Sequence, residues 1–120
     1  MTKVAAIQMV SGLNIKKNLE EMGKLVCVAA EKGAKLVLLP EFFALLSNEH
    51  EDKICHAETP LDLHGYFSDT AKFSPIQGAL SKAAKDNNVW IVGGTVPLKT
   101  DSKNKIFNSM LTFNEKGILV

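Results

Sequence analysis

A chain of 120 residues, 46% hydrophobic and 22% charged, is long enough for one domain and too apolar to be disordered. Its charge of +1 comes from 14 lysines against 13 carboxylates with no arginine. The bidentate forks that read phosphate and guanine are therefore missing, which excludes nucleic acid as a partner.

The first predicted element is a strand over Val4 to Val10. Gln8 interrupts its apolar run, which is too short to cross a bilayer and has no small-residue cleavage site behind it. The sequence therefore reads as that of a cytosolic protein without a membrane partner. Ser11 to Asn14 makes a turn, with Asn14 as helix N-cap. Ile15, Leu19, Met22, Val26, Ala29 and Ala30 then recur at spacings of three and four, which predicts an amphipathic helix stopped by Gly33. Cys27 sits beside that stripe and reads as filler rather than nucleophile. With only Cys55 besides, the chain has too few cysteines for a disulfide scaffold, and both read as reduced thiols.

Lys35 to Phe42 reads as a second strand, its apolar run predicting burial on both faces. With the helix between, the opening is a βαβ unit. The run ends in Pro40-Glu41-Phe42-Phe43. Open α/β sheets collect ligands at the carboxyl ends of their strands, where Glu41 falls. Two phenylalanine neighbours are expected to strip water from its carboxylate, and desolvation raises a carboxyl pKa toward the range of a working base. Glu41 is thus the candidate general base. A structural carboxylate capping the next turn is the alternative.

From Ala44 to Phe73 periodicity breaks down. This connection carries His50, His56 and His64, and residues 48–69 hold six carboxylates (Glu49, Glu51, Asp52, Glu58, Asp62, Asp69) against Lys53 alone. Loops of this length are lids or binding loops, with short helices allowed. Cys55-His56 near the other histidines raises metal binding. The spacings do not follow the paired pattern of zinc sites, so a solvated acidic surface is the stronger reading.

Ser74-Pro75 opens a second helix, with Ile76, Leu80, Ala83 and Ala84 as its buried stripe and Asp86 to Asn88 as its end. Val89 to Val96 reads as a strand whose Gly93-Gly94 pair lets another backbone or a ligand approach closely. The pair forms no G-x-G-x-x-G fingerprint, so a nucleotide-binding α/β domain is only a distant alternative. Thr100 to Lys105 forms a turn and Asn108 to Phe113 a further strand. Asn114 to Gly117 then turns the chain into Ile118-Leu119-Val120. Ending on three apolar residues, the sequence reads as the N-terminal part of something longer or as a truncated gene product.

Several segments in order carry a resemblance. Val4 to Met9, Gly33 to Glu41, Phe42 to Leu45, Pro75 to Gln77, Trp90 to Leu98 and Asn108 to Gly117 together resemble the nitrilase, or carbon–nitrogen hydrolase, superfamily. Within it they are most similar to the amidases that act on deaminated glutathione or on ω-amides of 2-oxo acids. The resemblance implies an α/β fold, the N-terminal part of a four-layer αββα sandwich, with residues 1–120 as a carbon–nitrogen hydrolase domain truncated on its C-terminal side. It also implies a small-molecule amide substrate, no cofactor, no metal and homo-oligomerisation at full length.

The chemistry implied is a Glu-Lys-Cys mechanism. The glutamate takes the thiol proton, the thiolate forms a thioester and the lysine faces the oxyanion. Glu41 matches the family glutamate. The family's lysine and cysteine segments have no counterpart in these residues, and Cys27 and Cys55 lie in neither context. An inactive chain on its own is therefore expected, and a non-catalytic binding or interaction domain is the competing reading. With its second sheet missing, the fold is expected to turn Val37, Leu39, Ile91 and Leu111 toward water and to self-associate.

Overall fold

A computed structural model of the protein describes residues 1–61 and 74–120. In chain order the elements are β1 (Val4–Ala6), α1 (Ile15–Glu31), β2 (Leu36–Leu38), α2 (His50–Cys55) and α3 (Pro75–Asn87). They are followed by β3 (Trp90–Val92), β4 (Val96–Lys99), β5 (Ile106–Ser109) and β6 (Thr112–Phe113).

The predicted start and stop of the first helix form as expected. The Asn14 side chain accepts the Lys17 N–H at 3.0 Å, satisfying one of the free donors of the first turn. Gly33 closes the helix at φ 89°, a conformation that costs glycine nothing, and its N–H donates to the Ala30 carbonyl. Met22, Val26 and Ala29 are buried beneath α1. Cys27 is not filler, as the sequence suggested, but exposed. It follows Val26 by one residue, and each residue turns the helix by about 100° away from the buried stripe.

The βαβ reading holds. β1 and β2 are parallel, β3 is parallel to β2 and β6 closes the sheet antiparallel, in the order β1-β2-β3-β6. Register places Ala5, Val37, Ile91 and Phe113 in one row. That row faces α1 and α3, whose Met22, Val26, Ile76, Leu80 and Ala84 complete the core.

Strand lengths differ from expectation. β1 stops at Ala6 and β2 at Leu38, short of Val10 and Phe42. The run from Val89 to Val96 is not one strand. Gly94, at φ 54°, turns the chain so that β3 stays in the main sheet while β4 leaves it to pair with β5. Asn108 to Phe113 divides in the same way between β5 and β6, and the final apolar residues contribute a single bridge from Leu119 to Phe113.

The face turned toward water also differs from expectation. Val37, Leu39 and Ile91 are buried and Leu111 half-buried, because their parity points them at the helices. The alternate residues form the open face: Val4 is 63% exposed, Leu38 44% and Trp90 40%. The second strand is therefore not buried on both sides. Side chains alternate along a strand, so a continuous apolar run hides which parity meets the helices.

Candidate active site

Glu41 stands just past the carboxyl end of β2, beside the carboxyl end of β3. The ladder extends one residue past β2, where the Leu39 N–H donates to the carbonyl of Val92, the last residue of β3, at 2.9 Å. Proline follows, and the chain then crosses the loop that leaves β3. Two consecutive residues of that loop meet it. Gly94 lies so close to the Pro40 carbonyl that a Cβ on it would sit 2.0 Å from the oxygen. Thr95 Oγ1 accepts the Phe42 N–H at 2.9 Å.

The second sheet brings the other neighbour. Pairing of β4 with β5 sets Asn108 opposite Pro97, and the Asn108 Nδ2 reaches Glu41 Oε1 in a long contact of 3.4 Å. On the far side, Lys53 of α2 places its Nζ 4.3 Å from the centre of the Phe42 ring, within the range of a cation–π contact.

Glu41 is exposed. The desolvation expected from its phenylalanine neighbours is therefore absent, because Phe43 turns into the core while Phe42, half-buried, lies under Lys53. Neither cysteine is hydrogen-bonded to Glu41; both thiols are free and exposed, and Cys27 lies against Glu31 of its own helix. A carboxylate held this way can accept a proton from an adjacent acid. The described residues join to it neither a nucleophile nor a cation for an oxyanion.

The acidic connection is not uniformly solvated. Glu58 is buried, and its carboxylate accepts from the Ile76 N–H at 2.5 Å, the Gln77 N–H at 3.0 Å and the Gln77 Nε2 at 3.0 Å. It therefore does the work at the start of α3 that Ser74, whose side chain makes no capping bond, was expected to do. Burial pushes the Glu58 carboxyl above its ordinary value of 4.5, and the bonds from Gln77 and Ile76 offset part of that rise. Gln77 in turn donates to the Thr59 carbonyl and accepts from the Leu61 N–H. Nothing in the sequence pairs residues 58 and 77. Asp62, His64 and Asp69 of the predicted acidic loop lie outside the described residues. Among those described, no three His, Cys, Asp or Glu side chains converge on a common point. A groove lined by Leu13, Ile15, Leu19, His56 and Pro75 contains none of the groups around Glu41.

Comparison with known proteins bears on the family of the chain. The chain is 34% identical over 119 residues to "Nitrilase homolog 2" of Dictyostelium discoideum, matching 98% of itself and 32% of that protein. It is 51% identical over 47 residues to a "Deaminated glutathione amidase" of Synechocystis, matching 39% of itself and 17% of that protein. The crystal structure of Saccharomyces cerevisiae Nit3, a member of the nitrilase superfamily, superposes with a TM-score of 0.79 at 26% identity, over 98% of this chain and 41% of that one. The chain thus spans about a third of the length of the relatives it matches over nearly its whole extent. The Carbon-nitrogen hydrolase profile matches residues 3–120, a span that runs from the first strand through Glu41 to the last bridge of the sheet, and the chain belongs to that family.

Proposed function

We propose that this chain carries the general-base end of an amide-hydrolysing site, with Glu41 as the base. The observation that supports the reading most is the placement of Glu41 at the carboxyl ends of two parallel strands, with Asn108 beside it. Glu41 takes a proton from a cysteine thiol, and the thiolate attacks the amide carbon. The protonated Glu41 gives that proton to the departing amine or ammonia, and it then relays a proton from the attacking water to the departing thiolate as the thioester is hydrolysed to the acid. A lysine faces the oxyanion. The cysteine and lysine are supplied from outside these 120 residues, and the chain alone does not hydrolyse amides.

The substrate class is a small non-peptide amide, either deaminated glutathione or a short ω-amide of a 2-oxo acid. The relative from Synechocystis carries the first of these in its name. No cofactor takes part, and the full-length protein acts in the cytosol as a homo-oligomer. The absence of a matching lysine and cysteine also supports a second reading, a non-catalytic interaction domain.

The test is hydrolysis of both amides by the protein isolated from its natural source and by the 120-residue chain. Ammonia or amine release by the isolated protein, blocked by a thiol reagent and abolished in Glu41→Gln, is the expected result. Thiol-dependent release by the chain alone would contradict the division of the site. No release by either preparation would leave the interaction-domain reading.

A further inference from the structure

Phe42 has φ 55°, the left-handed region that a bulky side chain rarely occupies. Such a conformation persists only where its surroundings over-determine it, and here it directly follows Glu41. We propose that Thr95 is a positioning residue for Glu41, acting through the Phe42 backbone; the proposal rests on the reading of Glu41 as the base.

The argument is geometric. The direction of the Glu41 side chain is set by the two peptide planes on either side of its Cα. The first, between Pro40 and Glu41, is packed against Gly94, where there is no room for so much as a Cβ. The second, between Glu41 and Phe42, is fixed by its own N–H, which donates to Thr95 Oγ1 at 2.9 Å. Gly94 and Thr95 therefore grip both planes from one short loop. The Cα–Cβ bond of Glu41 is fixed although the side chain itself is exposed and, among the described residues, makes only the long contact to Asn108. An exposed carboxylate gains little orientation from its own hydrogen bonds, so the backbone has to supply it. The hydroxyl is the essential part of Thr95, because the partly buried Phe42 N–H needs an acceptor there.

The experiment compares Thr95→Val, which keeps the shape and removes the hydroxyl, with Thr95→Ser, which keeps the hydroxyl, in the protein from its natural source. In Thr95→Val, Phe42 amide exchange is expected to quicken roughly fivefold or more. The scalar couplings of Phe42 lose their left-handed values, and kcat falls about 10- to 100-fold with KM unchanged. Thr95→Ser restores all three. Thr95→Ala provides the same comparison if the valine variant does not fold. Unchanged Phe42 couplings and exchange in a folded Thr95→Val or Thr95→Ala protein would overturn the proposal, as would a Thr95→Ser variant that behaves like the valine one. If Glu41→Gln keeps its full rate, the base reading fails, while the Phe42 measurements still decide whether Thr95 holds the backbone.

Discussion

Gly94 and Pro40 meet backbone to backbone: a Cβ on Gly94 would lie 2.0 Å from the Pro40 oxygen, and Gly94 has φ 54°. Contact and conformation both demand glycine. Gly94→Ala is expected to cost about 3 kcal/mol or more, since neither the proline carbonyl nor the strand behind it can retreat. Urea unfolding should show the midpoint falling with an unchanged slope. A loss below about 0.5 kcal/mol, within the range of ordinary surface substitutions, would mean that the two strand ends are not held together as described.

Glu58 sets a pH dependence. Its folded carboxyl lies above the ordinary value of 4.5, because burial opposes the charge. The folded protein therefore binds more protons at this site than the unfolded chain, and stability declines as pH rises through that window. The contribution is fully present below 4.5 and is lost by the time pH passes the folded value. Glu58→Gln removes the titration and flattens this part of the stability profile. It also costs about 1–3 kcal/mol, because one carboxylate acceptor at the start of α3 becomes a donor facing donors. Chemical unfolding of both proteins from pH 4 to 7 checks the sign; a profile that rises with pH in the wild type and not in the variant would refute it.

Adjacent residues of β2 should respond unequally to truncation. Val37 is fully buried under the helices and Leu38 is 44% exposed on the open face. Val37→Ala is expected to cost about 2–3 kcal/mol and Leu38→Ala less than about 1 kcal/mol, although leucine is the larger side chain. Equal losses in equilibrium unfolding would show that the two faces are equally covered.

The open face carries Val4, Leu38 and Trp90 in neighbouring strands. A contiguous apolar patch of this kind drives association when nothing covers it. The 120-residue chain is expected to self-associate and to bind an apolar fluorescent dye, and Leu38→Lys should reduce both without lowering the free energy of unfolding by more than about 1 kcal/mol. Sedimentation of a monomer with no dye binding would count against an uncovered face.

The sequence by itself determined the two long helices and the kind of fold, while α2 formed inside a stretch that showed no periodicity. Asn14, Gly33 and the three-and-four spacing between them define α1, since caps and periodicity are local properties of the chain. The apolar run before Pro40 also located Glu41 at a strand end, and the structure has it just past the end of β2. Which parity of the Leu36 to Leu39 run is buried was decided only by the side on which α1 and α3 pack. Partition of the Val89 to Val96 run between two sheets, the seclusion of Glu58 by Gln77 and the grip of Gly94 and Thr95 on the chain around Glu41 were likewise tertiary. Each joins residues separated by a turn or by many positions, and local pattern carries no information about which distant backbone will arrive at a given donor or acceptor.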